Sequence, residues 1–268
     1  SPDRRVERKS PAGGKVLSVP DTGTTNHPRE LYDSTDPALI REHLRLAAYA
    51  GIDALIATWW GRGLFHDRAL EKALDEAEST ASPVSFTIYY ERIPQAADPV
   101  QAVVDDFRYL IDRYARRPAF FKENGKPVFF IYGRAMNQMK PEQWREAVAG
   151  IRALGPCLLI ADGLDPKWLE IFDGQHEYNP VGQIVKKTDM GERYRATAAR
   201  CRAAGKISCA TVLPGYDDGN IGRARVTVAD REGGALYERL WRQASEAGPD
   251  WILITSFNEW HEGSEIEP

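Results

Sequence analysis

Short apolar runs alternate with amphipathic stretches along most of this 268-residue chain. The longer runs read IDALIATWW, VSFTIYYE, KPVFFIYGR, PCLLIADG, GQHEYN, ISCATVLPGYDD and DWILITSFNEW, and a shorter one, KVLSV, covers residues 15–19. Between them lie stretches such as DPALIREHLRLAAYAG and GALYERLWRQASEAG, which have the apolar spacing of helices. Strands that alternate with helices indicate a parallel sheet, and about eight of them predict a (β/α)8 TIM barrel of the α/β class.

The predicted barrel occupies residues 15–268 as a single domain, because no linker or shift in composition interrupts the alternation. Residues 1–14 contain the densest basic stretch, SPDRRVERKS, which is typical of a flexible, solvated tail. No helix follows the last apolar run in this sequence, so we expect the final helix of the barrel to be absent or truncated.

Composition and charge exclude several kinds of binding partner and site. A formal net charge of -4 without a basic stripe argues against nucleic acid. No apolar run approaches the roughly 18 residues of a transmembrane helix, so we expect no membrane span. Cys157, Cys201 and Cys209 lack C-x-x-C spacing and predict buried thiols rather than disulfides or a zinc site. Compartment and oligomeric state stay open, although removal of a signal peptide would favour a secreted or periplasmic protein.

The residues that follow the apolar runs are mostly aromatic, acidic or amide-bearing. In a (β/α)8 barrel the active site lies at the carboxyl ends of the strands, where these residues would meet. Aromatic rings stack on sugar rings, and a pair of carboxylates is the usual equipment for hydrolysing a glycosidic bond. The set therefore favours an oligosaccharide or polysaccharide as partner. Its members are Trp59, Trp60, Tyr89, Tyr90, Glu91, Tyr132, Arg134, Asp162, His176, Tyr178, Asn179, Tyr216, Asp217, Asp218, Asn258, Glu259, Trp260, His261 and Glu262.

Several of these side chains also have purely structural interpretations. Trp59 and Trp60 could fill the barrel or pack against helices. Glu91 could pair with the adjacent Arg92, and the acidic pair at residues 217–218 could cap a turn before a glycine.

Four further ionisable side chains are expected outside the site. His43 and His66 lie in helical stretches, where surface or packing roles are the usual ones. Glu265 and Glu267 follow the crowded turn, and we expect them on a solvated face.

A metal centre is not indicated. His261 and Glu262 begin an H-E-x-x pattern, but Glu265 stands where a zinc protease has histidine, and the stretch follows a strand instead of lying on a helix. The acidic turn at residues 217–220 is too short a ligand series to specify calcium. We therefore expect neither a metal nor another cofactor.

Eight motifs, in order and with approximate spacing, resemble glycoside hydrolase family 99, the endo-α-mannosidases. The most specific is SFNEWHEG followed by IEP near the C-terminal end of the sequence. The others are LYDSTDPALIREHL, TWWGRG, YYE, GKPVFFIY, FDG with His176 and Tyr178, LPGYDD and DREGGALYERLWRQA, and together they run from about residue 27 to residue 268.

The resemblance implies a (β/α)8 barrel that cleaves within α-mannoside chains, with retention of configuration and without a metal. In that family one glutamate deprotonates the sugar's own 2-hydroxyl, which attacks the anomeric carbon to form a 1,2-anhydro sugar. By motif, Glu259 would be this base. Glu262 would protonate the leaving oxygen and later activate water.

The same resemblance assigns contacts with the substrate. Glu91 would hold a sugar hydroxyl, Tyr216 would line the cleavage subsite, and Trp60 would stack on the sugar beyond it. The remaining side chains that we expect to contact substrate are Tyr90, His176, Tyr178, Asn258, Trp260 and Arg231.

Two alternative functions stay open. Glycosyltransferase-like proteins of polysaccharide clusters share the N-E-W-x-E-G ending, but they need a nucleotide-sugar donor and no phosphate-binding loop is visible here. A non-catalytic carbohydrate-binding barrel would keep the aromatic residues. The altered first strand, KVLSVPDTG, which lacks the Trp-Tyr-rich stretch usual in the family, motivates this second alternative.

Overall fold

A computed structural model of the chain describes Pro28, residues 32–222 and residues 224–268. The predicted tail, residues 1–14, and the predicted strand KVLSV lie outside these ranges. The described strands are β1 (Ala54–Trp59), β2 (Ser85–Tyr90), β3 (Lys122–Glu123), β4 (Lys126–Ile131), β5 (Leu158–Asp162), β6 (Gly174–His176), β7 (Ile207–Val212), β8 (Tyr216–Asp217), β9 (Val228–Ala229) and β10 (Trp251–Ile254).

The helices follow the amphipathic stretches of the sequence. They are α1 (Pro37–Tyr49), α2 (Phe65–Ser79), α3 (Pro99–Leu110), α4 (Gly133–Met136), α5 (Pro141–Leu154), α6 (Val181–Val185), α7 (Met190–Ala203) and α8 (Ala235–Ala247). A π-helical turn, Ile111–Ala115, continues α3, and 3-10 turns cover Pro166–Glu170, Glu232–Gly234 and Trp260–Glu262.

Local chemistry fixes several helix starts. Asp36 and Asp98 each precede a proline, and each carboxylate accepts a backbone N–H from the first turn of its helix. An aspartate cap satisfies a donor that has no partner within the helix, and proline already has the φ that a first helical residue needs.

Seven of the described strands form one parallel sheet in the order β1-β2-β4-β5-β6-β7-β10. The register places Trp59 beside Tyr90 and Asp162 beside His176, so the carboxyl ends of the strands share one edge. The short β3 pairs antiparallel with β4, and β8 pairs with β9 in a separate hairpin.

The sheet is strongly curled. The ring of Trp251 on β10 lies 5.7 Å from that of Phe121 and 6.2 Å from that of Phe130 on β4. Three strands separate β4 from β10, so a flat sheet would place them about 19 Å apart. A curled parallel sheet with helices around it confirms the predicted fold class, a (β/α)8-type barrel.

Alternation along the strands decides which side chains face the barrel interior. Tyr89 and Phe130 belong to the inner apolar cluster, whereas Trp59, Ile88 and Phe129 pack under the helices. Successive side chains of a strand point to opposite faces, so this division also determines which residues can reach the site.

Two further predictions from composition concern the state of the cysteines and the presence of a membrane-spanning helix. Cys157, Cys201 and Cys209 are buried and free, as the sequence predicted. Within the described ranges, no helix combines the length and the apolar character that crossing a bilayer requires.

A buried carboxylate, Asp67, anchors the connection between β1 and α2. Its oxygens accept hydrogen bonds from Trp59 Nε1 (2.9 Å), the Gly63 amide (2.7 Å) and the hydroxyls of Tyr109 (2.8 Å) and Tyr114 (2.7 Å). Burial alone would raise the pKa of Asp67, but these donors lower it below its ordinary value. The charge is therefore kept, and the loop that carries Trp60 is tied to α2 and α3.

Replacing Asp67 with asparagine should destabilise the fold by about 2–4 kcal/mol, because an NH2 group would face donors that need an acceptor. The measurement is urea unfolding at pH 7. The exposed Asp75 on the same helix provides a matched control, and D75N should change the free energy of unfolding by less than about 1 kcal/mol. Equal effects of the two substitutions would contradict the anchoring role.

Candidate active site

Glu259 and Glu262 lie on the loop that leaves β10, residues 256–267, which we name the acid loop. Glu259 immediately precedes the 3-10 turn Trp260–Glu262, and Glu262 is the last residue of that turn. The Glu262 amide donates to the Glu259 carbonyl (3.1 Å). Ser256 closes the loop on itself: its amide donates to the Ser264 carbonyl (2.8 Å), and its Oγ accepts from the Glu259 amide (2.8 Å). Both acids are therefore held by backbone contacts within one short turn.

Gly263 ends this turn with φ +59, a conformation that L side chains rarely adopt. A Cβ at this position would lie 3.0 Å from the Asp217 amide nitrogen. The glycine thus allows the acid loop to pack against β8 directly beside Glu262.

Glu267 fastens the end of the acid loop to Tyr32 and to α1. Its Oε2 accepts from the Tyr32 hydroxyl (2.7 Å) and from Trp260 Nε1 (2.9 Å), and its Oε1 lies 2.6 Å from His43 Nε2 on α1. Burial alone would raise the pKa of Glu267, but these donors lower it. Burial and the Glu267 carboxylate raise the pKa of Tyr32 to about 12.

Glu265 is also buried, at 4% exposure. Arg231 Nη2 donates to Glu265 Oε1 (2.5 Å), to the Glu265 carbonyl (3.0 Å) and to the Gly263 carbonyl (3.1 Å). The expectation that Glu265 and Glu267 lie on a solvated face was wrong, because both carboxylates hold the acid loop in place.

Tyr178 faces the acids from the end of β6. Its hydroxyl oxygen lies 3.4 Å from Glu262 Oε2, and its backbone is fixed by Asp162 Oδ1, which accepts from the amide (2.9 Å). Burial, and then the carboxylates of Glu262 and Glu259, raise the pKa of Tyr178. Its hydroxyl therefore remains a neutral donor beside both acids.

Glu91 lies at the end of β2 and is 8% exposed. Thr58 Oγ1 donates to its Oε1 (2.6 Å), and Arg134 Nη1 is 3.9 Å from its Oε2. Burial raises the pKa of Glu91, with contributions from the carboxylates of Asp162 and Glu262, and the bond from Thr58 opposes it. Arg134, rather than the adjacent Arg92, is thus the cation that faces Glu91.

Trp60 follows β1 and is half-buried. We name the strand-end edge lined by Trp60, Glu91, Tyr178 and the acid loop the cleft. The guanidinium carbon of Arg134 lies 4.6 Å from its ring centroid and that of Arg92 lies 6.0 Å away, while the His66 ring is at 6.2 Å. The indole is therefore flanked by two cations.

Some predicted substrate contacts are placed elsewhere. Tyr90 has no exposed surface; it donates to Asp106 (2.7 Å) and stacks on Trp59 under the helices. The prediction that Tyr90 contacts substrate therefore disagrees with its position. Strand alternation puts Tyr89, not Tyr90, on the same face as Glu91, and this signal was present in the sequence.

Four other predicted contacts are mainly supporting residues. His176 is 2% exposed, and its Nε2 lies 2.7 Å from the Tyr89 hydroxyl beneath the cleft. Trp260 is buried with its N–H on Glu267, and Arg231 binds the acid loop. Tyr216 is 3% exposed beside the loop.

Two groups of residues remain at the site: polar side chains on the acid loop, and an aromatic wall of tyrosines. Asn258 and Glu259 are exposed on the acid loop, where Asn258 Nδ2 also donates to the Tyr32 hydroxyl (3.3 Å). An aromatic wall completes the site: the ring of Tyr178, a predicted substrate contact, and the rings of Tyr89 and Tyr132, predicted only as strand-end residues, lie 5.2–5.7 Å apart. In the described part of the chain, no group of three or more His, Cys, Asp or Glu side chains could hold a metal ion.

Comparison with known proteins identifies the family of the chain. The family model described as "Glycosyl hydrolase family 99" matches residues 3–268. The chain belongs to glycosyl hydrolase family 99. This confirms the family that the motifs predicted.

Several curated relatives of this family 99 chain are animal proteins. A human protein named "Glycoprotein endo-alpha-1,2-mannosidase-like protein" is 29% identical over 290 residues, and the rat "Glycoprotein endo-alpha-1,2-mannosidase" is 28% identical. The matches cover 99% of this chain but 62% and 61% of those proteins. The chain therefore spans about three fifths of the length of these relatives.

A solved structure shares the architecture. The GH99 endo-alpha-mannosidase from Bacteroides thetaiotaomicron matches with a TM-score of 0.80 and 29% identity, covering 98% of this chain and 81% of that one. The seven-stranded curled sheet thus corresponds to a family 99 barrel.

Removal of the Glu267 carboxylate should loosen the acid loop. In E267A the N–H and O–H groups of Trp260, Tyr32 and His43 lose a shared acceptor, so we expect the amides of Ser264 and Ile266 to exchange with solvent about tenfold faster or more. Hydrogen–deuterium exchange measures this. The exposed Glu246 on α8 gives the control E246A, and unchanged exchange in E267A would rule out the fastening role.

Glu91 should make the fold less stable when it is ionised. Because burial raises its pKa in the folded state, its contribution to the free energy of unfolding falls as pH rises through the interval above the ordinary glutamate value. E91Q removes that loss, so its Tm should exceed that of the wild type at pH 7, by about 2–4 °C per kcal/mol gained.

The difference between E91Q and wild type should disappear as pH falls well below the ordinary glutamate pKa, because Glu91 is then protonated in both the folded and the unfolded state. Calorimetric scans across this pH range test the sign. The exposed Glu142 on α5 gives the control E142Q, which should show no such crossover. A Tm of E91Q below that of the wild type at pH 7 would contradict the account.

Proposed function

We propose that this chain is an endo-acting glycoside hydrolase that cleaves α-mannosidic linkages with retention of configuration. The observation that carries the proposal is the acid loop: Glu259 and Glu262 lie on one fixed turn, with Tyr178 and the buried Glu91 facing it. Family membership and relatives named as endo-mannosidases support the substrate class.

In the first step the carboxylate of Glu259 takes the proton of the sugar's 2-hydroxyl. The freed oxygen attacks the anomeric carbon as the bond to the leaving oxygen breaks, and Glu262 donates a proton to that oxygen. This yields a 1,2-anhydro sugar and a shortened glycan. Each carboxyl group then holds the protonation state that the second step needs.

In the second step the Glu262 carboxylate takes a proton from water. The water oxygen attacks the anomeric carbon, the three-membered ring opens, and the 2-oxygen recovers its proton from Glu259. Two inversions at the anomeric carbon give net retention, and both acids return to their starting states.

The spacing of the acids supports this route. Conventional retaining pairs act from opposite sides of the bond with carboxyls about 5–5.5 Å apart, one of them as the nucleophile. Glu259 and Glu262 share one short turn. When the sugar's own hydroxyl is the nucleophile, neighbouring acids suffice, because neither has to reach the anomeric carbon.

The cleft around the acid loop supplies the binding groups. Glu91 would accept a hydroxyl of the sugar at the reaction centre, since its second oxygen, Oε2, has only the distant Arg134 as a described ion-pair partner. Tyr178 would donate beside Glu262, Tyr216 would support the wall of the cleavage subsite, and Trp60 would stack on the sugar beyond it.

Replacing either acid with glutamine should reduce kcat on α-mannan by about 10²–10⁴-fold, the usual contribution of a general acid or base. His261 lies exposed on the same turn between the two acids. H261Q is therefore a matched control that should keep most of the activity. Full activity in E259Q or E262Q would overturn the assignment.

The two roles can be separated with an activated leaving group. A 2,4-dinitrophenyl α-mannobioside needs little protonation to depart, so it should restore the first step in E262Q, seen as a burst of dinitrophenolate. E259Q should show no burst, because it lacks the base that activates the 2-hydroxyl. Equal rescue of both variants would contradict the division of labour.

A further inference from the structure

We infer that the subsite around Trp60 binds a sugar that carries an anionic group, and that Arg134 and Arg92 select it. A uronic-acid carboxylate and a phosphate ester both provide this chemistry. The inference rests on the proposed function, because it names a substrate class for the same cleft.

The first observation is the placement of two guanidinium groups on one indole. Their central carbons lie 4.6 Å (Arg134) and 6.0 Å (Arg92) from the Trp60 ring centroid. Arg134 follows β4 and Arg92 follows β2, so both belong to the strand-end edge that carries the acids. Two like charges on one ring repel each other, and an anion placed between them would relieve that repulsion.

Neither cation is engaged by a strong protein partner in the described part of the chain. Arg134 is half-exposed, and the one carboxylate within ion-pair range, Glu91, is 3.9 Å away. Arg92 is exposed and forms no ion pair among those residues. By contrast, Arg193 holds Glu177 through two hydrogen bonds of 3.1 and 2.8 Å. Long, exposed ion pairs contribute little stability, so holding Glu91 does not account for Arg134.

The chemistry of the two groups points to an anion. A neutral sugar stacks on an uncovered aromatic face, and the guanidinium of Arg134 lies over the ring of Trp60. The planar fork of a guanidinium matches the two oxygens of a carboxylate or a phosphate. An anionic group on the stacked sugar would draw Arg134 from the ring to its edge, and the ring would then be free for the sugar.

The negative charges of the cleft set the orientation. Glu91 is the carboxylate that faces Arg134, and the negative charge of Glu262 helps to raise the pKa of Glu91. They would repel an anion that approached the acid loop. The charged group therefore projects outward past Trp60. The neighbouring uncharged ring, on the reducing-end side of the charged sugar, lies at the acids.

Calorimetric titration with three tetrasaccharides of α-mannose tests the inference: one neutral, one with a non-reducing-terminal phosphate monoester, and one with a non-reducing-terminal glucuronic acid. The protein carries E259Q in every case, so that the probes are not hydrolysed. We expect at least one acidic probe to bind about tenfold more tightly than the neutral one. The preference should shrink when salt is raised, and which acidic probe shows it identifies the source of the charge.

Substitution of both arginines, R92Q with R134Q, should abolish the preference for the acidic probe, because glutamine has neither the charge nor the fork that binds an anion. R134K should keep part of it, because lysine retains the charge but not the fork. R45Q on α1, an exposed arginine that pairs within its own helix, is the control.

Equal affinities for all three probes, or an unchanged preference in the double variant, overturn the inference. If the wild type cleaves neutral α-mannan but the E259Q protein shows no acidic preference, only the inference fails. Arginine-dependent binding of an acidic probe, without cleavage of any α-mannoside by the wild type, supports the subsite and contradicts the proposed function.

Discussion

The candidate site depends on a carboxylate that takes no part in the proposed chemistry. Glu267 gathers donors from Tyr32, His43 and Trp260, and so joins the end of the acid loop to α1. Ordering a loop costs about 1–2 kcal/mol of backbone entropy per residue. A buried, charge-assisted cluster of hydrogen bonds offsets part of that cost and keeps the acids in one geometry before substrate arrives.

Arg231 and Ser256 provide a second support for the acid loop. Arg231 grips the carbonyl beside Glu262 and the carboxylate of Glu265, and Ser256 ties the two ends of the turn together. The four acids of the acid loop thus form two pairs: Glu259 and Glu262, exposed or half-exposed, take part in the proposed chemistry, and Glu265 and Glu267, with buried carboxylates, hold the loop. Glu91 is the exception in the cleft, because burial raises its pKa and so makes its charged form unfavourable in the folded protein.

Local patterns in the sequence predicted most of the fold. The alternation of apolar runs and amphipathic stretches located the helices and the parallel strands. The roles of Glu265 and Glu267 could not be read locally, because Tyr32 and His43 lie 235 and 224 residues from Glu267 along the chain. Tyr90 was a different failure: period-two alternation from Glu91 already favoured Tyr89.

The most direct test of the proposed mechanism is the anomeric configuration of the first product released from an α-mannan, followed by proton NMR before mutarotation. The account predicts that the new reducing end appears first as the α anomer, since two inversions separate substrate from product. A β anomer appearing first would contradict the route through the 1,2-anhydro sugar and would require the two glutamates to activate water directly.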